Sequence, residues 1–305
     1  MTLQRITPEM VRQSILGDVT SSLTTLERTS TELSSGKTIN EPSDNPFGTS
    51  RVLDLQSQLD GLTEYERNTQ DGLAWENTAS SALSGMNNSV QRVRELLLAA
   101  ANGTNNAQDL ETIALQVEQL TESIKQNANT QYAGQYVFGG TLTTTPPYEQ
   151  GAGDEFQGNT ETVGRTIGPG ASVTVSNNVS ALLGNGEASG DGKLLDTLRT
   201  IIKNLRAGTA EGREALTNAD LPQLDKNLET LSDLQATSGS TIDQLQAALS
   251  RNEDLQVSIS EGLANTEDTN MAAASIAYAN EQAAYNAALH AGATIVQESL
   301  LNFLH

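Results

Sequence analysis

The sequence predicts a mainly helical protein with a small β insertion. The expected shape is an elongated rod of long coiled-coil and bundle segments from both terminal regions, with a distal β-rich middle domain. Three observations predict it. Apolar residues recur at steps of three, four and seven through both terminal thirds, the spacing of helices packed along one another. Thr, Gly and Pro clusters collect between Tyr132 and Gly190, where short alternating runs read as strand and turn. Aromatic residues are only 4% of the chain, poor material for a thick globular core but adequate for thin bundles sealed by Leu, Ile, Val and Ala.

The first seam runs from Pro8 to Leu33, with Ile15, Val19, Leu26 and Leu33 on one stripe and Ser22 and Thr29 filling it. Thr7 is placed to cap this helix, and Pro8 is tolerated in its first turn. A dense run of helix breakers and turn formers follows: Gly36, Asn40, Pro42, Ser43, Asp44, Asn45, Pro46 and Gly48. Beyond it, a tract from Asn45 to Ala101 carries Leu55, Leu62, Thr69, Glu76, Leu83, Val90 and Leu97 on a seven-residue grid. Glu76 on that grid, with Gly72 and Gly85 nearby, predicts a bend or a loosely packed stretch. After "ANGTNN", Ile113, Val117, Leu120 and Ile124 mark the next helix.

From Thr141 to Gly190 the chain reads as an irregular β module. Helical spacing returns with Leu194, Leu198, Ile201 and Leu205, and again from Leu221 to Asn265. The last tract is Ala-rich, with Met271, Tyr278, Tyr285, Leu289, Val296 and Phe303 along it. The seams are most simply buried if the chain folds back and pairs its terminal helices. The implied division is 1–44 and 265–305 for the terminal helix pair, 45–140 and 191–264 for the bundle, and 141–190 for the β module.

There is no cysteine, which excludes disulfides, thiolate metal sites and cysteine nucleophiles. The two histidines, His290 and His305, are too few for a multi-histidine metal site. A net charge of −21 argues against nucleic acid and anionic membranes as partners. Residues 252–305 hold no Lys or Arg against seven acidic residues. That end is either a solvated acidic face or a surface that meets a basic partner. No stretch is apolar enough for a membrane span, and the N-terminus lacks the apolar core of a secretory signal. A cytosolic protein and a non-classical export substrate both stay open.

No motif carries chemistry. "GEASGDGKLL" falls short of a phosphate-binding loop, because Leu194 follows Lys193 and Glu187 stands where the first glycine belongs. It reads as a flexible linker before a helix. "GAGDEFQG" holds Asp154 and Glu155 but too few oxygen ligands for calcium, and reads as a hairpin tip. His290 reads as a packing or surface residue, and Trp75 as bundle packing. No catalytic residues, cofactor or metal are expected.

Two stretches carry a resemblance. "LSSGKTINEPSDNPFGTSRVLDLQSQL" (Leu33–Leu59) and "RNTQDGLAWENTASSALSGMNNSVQRVRELLLAAANGT" (Arg67–Thr104), closed by "ATIVQESLLNFL" (Ala293–Leu304), resemble the flagellin and hook-associated protein superfamily. "PSDNP" (Pro42–Pro46) with "YAGQYVFGGTLTTTPPY" (Tyr132–Tyr148) is similar to its hook–filament junction branch. The resemblance implies a structural protein of the bacterial flagellum, not an enzyme, exported through the flagellar type III apparatus to an extracellular position.

It further implies a ring layer of copies of this chain between a hook-side junction protein and flagellin, with an export chaperone on the C-terminal helix. The terminal helices would form an inner coiled-coil core. Assembly contacts are then expected at Ile15, Val19, Leu26 and Leu33 and at Leu289, Val296, Leu300 and Phe303. Gly36, Pro42, Asp44 and Pro46 would form the inter-domain turn. An intramolecular coiled coil is the alternative use of the stripes. A short flagellin, or a flagellin-like carrier of an adhesive or enzymatic middle module, are the alternative functions. Thin Ala-rich helices bury little area against the entropy of ordering them. The first and last roughly 40 residues are therefore expected to be unstructured in the free monomer and to fold on assembly.

Overall fold

Helix formation begins at α1 (Pro8–Ser35), which stops where Gly36 takes a positive φ of 72° and donates its N–H back to the Glu32 carbonyl. The computed structural model describes residues 8–101, 105–151, 154–187 and 189–303, with side chains described from residue 10 to residue 294. Thr7, the expected cap, lies outside them. After the turn come α2 (Pro46–Ala101) and α3 (Ala107–Ala128). The start of α3 is fixed by a reciprocal capping box between Asn106 and Asp109.

Two antiparallel hairpins follow: β1 (Gln131–Tyr132) with β2 (Gln135–Tyr136), and β3 (Gly164–Gly168) with β4 (Ala171–Thr174). A single turn, α4 (Ser180–Leu183), leads to α5 (Leu194–Ala207), which closes on Gly208 in the left-handed region. Thr209 caps α6 (Ala210–Ala215) by accepting from the Gly212 N–H. A five-residue π turn, Leu216–Asp220, then feeds α7 (Leu221–Glu267). The wider turn makes room for Pro222, which has no N–H to give the helix and whose ring an α-turn would crowd. The chain ends with α8 (Met271–Phe303).

The chain divides into two compact units, residues 1–61 with 256–305, and residues 62–255. In the first, α1 and α8 pack along one another, the pairing expected from the sequence. In the second, one apolar cluster joins Leu83, Val90 and Leu97 of α2 to Val117 and Ile124 of α3, Leu198 and Ile201 of α5, and Leu231 and Leu245 of α7. Tyr148, Ile167, Val175 and Leu182 belong to the same cluster, so the segment expected as a β module shares its core with the helices.

Two sequence expectations are revised here. α2 runs unbroken past Gly72, Glu76 and Gly85. Gly72 gives close passage, because a Cβ there would lie 3.4 Å from Leu245 and Val175, and Glu76 is bonded in the interior. "GEASGDGKLL" is tied down, not loose: Gly192 N–H donates to Asp196 (2.8 Å), Lys193 N–H to Asp191 (3.0 Å), and Lys193 Nζ to the Ser180 carbonyl (2.9 Å). The hairpin-tip reading of the segment around Asp154 fits the antiparallel Tyr148–Phe156 bridge that flanks it, and Asp154 itself accepts from Arg199 Nε at 2.7 Å and from Lys125 Nζ at 3.1 Å. Lys125 is fully buried and donates also to the Gly151 carbonyl at 2.9 Å. Burial alone would raise the Asp154 carboxyl. The bonds and charge of Arg199 and Lys125 outweigh that and hold it below the usual carboxylate range.

Candidate functional site

The terminal helix pair sets aliphatic residues of α1 along a side of α8 that mixes Ala and Gly with two tyrosines. On α1, Ile15, Val19, Leu26 and Leu33 are half-buried on one side, with Thr29 buried among them. The Thr29 hydroxyl is satisfied by the Thr25 and Leu26 carbonyls, so a polar residue is tolerated in the stripe. On α8 the inward side carries Ala274, Tyr278, Glu281, Tyr285, Ala288 and Gly292. A Cβ at Gly292 would lie 3.1 Å from Ile15 Cγ2, so the absence of a side chain there sets how closely the helices approach.

Leu289, expected on the assembly stripe, is exposed and lies off the side shared by Tyr285, Ala288 and Gly292. Of the large residues spaced along this tract, Tyr278 and Tyr285 lie on the inward side with Ala274, Ala288 and Gly292, and Met271 and Leu289 are exposed. Val296, Leu300 and Phe303 fall in the last turns of α8, outside the described side chains. Leu16 and Leu23 of α1 and Ile276 of α8 are also exposed, three apolar positions absent from the expected stripes. His290 is exposed.

The turn between α1 and α2 is held by a chain of local bonds. Asp44 Oδ2 accepts the backbone N–H of Glu41 at 2.9 Å and of Asn40 at 3.0 Å. Those two donors hold its carboxyl below the ordinary aspartate value. Asn45 Oδ1 accepts the Gly48 N–H at 2.9 Å and caps α2, whose first residue is Pro46. A Cβ at Gly48 would meet Asn45 Nδ2 at 2.5 Å and Ile39 Cδ1 at 2.6 Å. Pro42 is exposed, and Phe47 is 81% exposed.

This turn meets the one between α7 and α8. Thr38 N–H donates to the Glu267 carbonyl at 2.6 Å, and Thr269 N–H donates to the Gly36 carbonyl at 2.9 Å. Lys37 pairs with Asp268 as an isolated antiparallel bridge. Of the sequence-predicted turn positions, Gly36, Pro42 and Asp44 lie between α1 and α2, and Pro46 opens α2. Lys37, Thr38, Glu267 and Thr269 were invisible to sequence reasoning, because no local pattern links residues so far apart. Among the described residues no His/Asp/Glu group is placed to hold a metal, and no helix is long and apolar enough to cross a membrane.

Residues 6–143 match the family described as the bacterial flagellin N-terminal helical region. A 103-residue segment is 41% identical to Salmonella flagellins, among them the phase 1 flagellin of Salmonella naestved and a flagellin of Salmonella dublin. That segment is 33% of this chain, and the match spans 20% of the flagellins' own length.

Among solved structures, a flagellar hook-associated protein of Vibrio parahaemolyticus aligns with a TM-score of 0.66 and 18% identity. The alignment covers 74% of this chain and 100% of that one. The flagellar junction protein FlgL of Legionella pneumophila aligns at 0.58 with 16% identity, over 72% and 100%. FlgL of Xanthomonas campestris aligns at 0.59 with 15% identity, over 69% and 99%. At these identities the likeness is one of fold.

Proposed function

We propose that this flagellin-type chain is a structural subunit of the bacterial flagellum, forming the junction layer between hook and filament. The observation that carries the reading is that the hook-associated and junction proteins align over 99–100% of their own length with this fold. Copies of the chain pack axially through their terminal helices, between a hook-side junction protein and flagellin. An export chaperone holds the C-terminal helix, and the flagellar type III apparatus delivers the chain outside the cell. The assembly residues are Ile15, Val19, Leu26, Leu33, Leu289, Val296, Leu300 and Phe303, with Gly36, Pro42, Asp44 and Pro46 turning the chain between layers. Apolar residues left exposed on α1 and α8 support a role in packing against other subunits.

The test is electron microscopy of a strain lacking the gene, with secreted flagellin measured in the medium. Bare hooks with abundant secreted flagellin are expected. Bare hooks with no secreted flagellin would instead make this chain the filament subunit, a reading favoured by the 41% identity of a 103-residue segment to flagellins. Such a chain would extend indefinitely from filament seeds, whereas a junction protein stops at a thin layer. Normal filaments would overturn both and direct attention to a passenger activity in residues 141–190. Leu300→Asp places a charge in the expected seam at a cost of several kcal/mol, and should leave a soluble monomer that restores no motility.

A further inference from the structure

Glu76 is a carboxylate in the interior of residues 62–255. Its residue is 1% exposed, and it occupies a grid position of α2 beside Trp75, Ala79 and Leu83. Both of its oxygens accept from Asn177 Nδ2, at 3.0 and 3.2 Å, and Oε2 also accepts from the Ser238 hydroxyl at 2.7 Å. Asn177 lies in the segment that leaves β4, and Ser238 lies on α7. One side chain thus fastens that segment between two helices.

No cation balances Glu76 among the described residues. The β hairpin presents Arg165, which is committed to Asp71 of α2 at 2.9 Å and lies 5.9 Å from the Trp75 ring centroid. Tyr132 of β1 meets the Trp75 ring edge-on. From α7 the nearest acids in sequence to Ser238 are Asp233 and Asp243, both exposed, and residues 175–179 hold no titratable side chain. A buried carboxylate with hydrogen-bond donors but no counter-charge is penalised in its charged form.

We propose that Glu76 is a proton-operated latch that sets how firmly the segment after β4 is held between α2 and α7. In its charged form the carboxylate holds the latch through donors alone. On acidification it takes a proton, the buried charge disappears, and the new O–H donates to the Ser238 oxygen or to a turned Asn177 amide. Burial raises the Glu76 pKa above its ordinary value, and the Ser238 and Asn177 bonds only partly oppose this. A folded pKa raised above the unfolded one gives stability that is present at low pH and lost as pH rises through the folded value. The latch is independent of the assembly reading and would operate in the free chain.

Trp75, the single tryptophan, adjoins Glu76 and reports it. Denaturant unfolding of the full chain, followed by Trp75 fluorescence between about pH 4.5 and 8, is compared with Glu76→Gln. Relative to that variant, the wild-type folding equilibrium should weaken by up to about tenfold per pH unit as Glu76 ionises, the limit for one linked proton. The comparison cancels Asp220, a second buried carboxylate that accepts from Asn204 at 2.7 Å. A wild-type to Glu76→Gln difference independent of pH would overturn the proposal. Should Glu76→Gln fail to fold, Ser238→Ala serves. Removing a donor to the charged form should move the Glu76 carboxyl titration, read by carbon NMR, to higher pH. An unmoved titration, or one at the ordinary glutamate value, would equally overturn it.

Discussion

Lys37 and Glu267 are separated by 230 positions in the chain, yet Lys37 Nζ lies 2.8 Å from Glu267 Oε1. Around this pair, Thr38 donates both its N–H and its hydroxyl to the Glu267 carbonyl, and the Thr269 N–H returns to Gly36. The end of α1 and the end of α7 are therefore fixed to each other before α2 and α8 depart. The Glu267 side chain is 8% exposed and that of Lys37 43%, so the carboxylate bears most of any loss.

Lys37→Met should consequently cost about 1 kcal/mol, between an exposed pair and a buried one. The readout is amide exchange at Thr38 and Thr269, expected to speed about fivefold. Adding Glu267→Gln should recover part of the loss, since the stranded charge goes with it. Unchanged exchange in Lys37→Met would mean that the backbone bonds hold the junction without the ion pair.

Asp44 gives the turn a pH dependence of defined sign. Its folded pKa lies below the ordinary aspartate value because the Glu41 and Asn40 N–H groups stabilise the carboxylate. The stabilisation is thus present above the unfolded pKa and disappears as pH falls through the lower, folded one. Amide proton shifts of Glu41 and Asn40 should titrate together, with a midpoint below 3.8, the ordinary value. Asp44→Asn should abolish that titration. A midpoint at or above the ordinary value would show that the two bonds do not persist in solution.

Two glycines of α2 should respond oppositely to alanine. At Gly61 a Cβ meets nothing within 4 Å, so Gly61→Ala should stabilise by roughly 0.5–1 kcal/mol through helix propensity. At Gly48 the Cβ collides with the capping Asn45 amide and with Ile39. Gly48→Ala should cost about 1 kcal/mol, the worth of the displaced cap. Thermal unfolding followed by circular dichroism distinguishes them, and a stabilised Gly48→Ala would refute the cap geometry.

The sequence made legible what repeats locally. Leu83, Val90 and Leu97 announce the α2 seam, and Gly36 to Gly48 announces the break, because helix periodicity and turn chemistry are properties of neighbouring residues. On α8 the spacing of large residues finds Tyr278 and Tyr285 of the inward side but not Ala274, Ala288 and Gly292, which leave no apolar signal to follow. Lys37–Glu267, Lys125–Asp154–Arg199 and Glu76–Asn177–Ser238 were illegible for a different reason. Each joins distant segments through polar side chains that, taken singly, look like solvated surface.

The interior ion pairs should separate cleanly from the exterior ones. Lys125 is fully buried against Asp154, whose side chain is 11% exposed. Removing Lys125 leaves Asp154 with Arg199 alone and strips the Gly151 carbonyl of its donor, so Lys125→Met should destabilise by roughly 1–3 kcal/mol. Lys203 and Glu187 form a pair 73% and 51% exposed, and Lys203→Met should change stability by less than about 0.5 kcal/mol. Urea unfolding monitored at Trp75 compares the two. Equal effects would mean that water reaches Lys125 in solution.

The terminal helices should be the least protected helices of the free chain. Among the described side chains of α1 and α8, only Thr29 and Ala274 are buried, whereas the α2 seam places Leu83 and Val90 at 0% exposure. Buried apolar area contributes roughly 25 cal/mol per Å², and ordering the backbone costs about 1–2 kcal/mol per residue. Two small buried side chains and a row of half-buried ones offset little of that cost over helices of this length, although the alanines of α8 lower it. In the monomer, amides of α1 and of α8 up to Thr294 should exchange at least about a hundredfold faster than those of Leu83–Leu97, through local opening. Assembly should slow them, because Leu16, Leu23, Ile276 and Leu289 then lose water. Protection equal to that of α2 in the free monomer would show that the α1–α8 pair is self-sufficient, and the case for folding on assembly would fall with it.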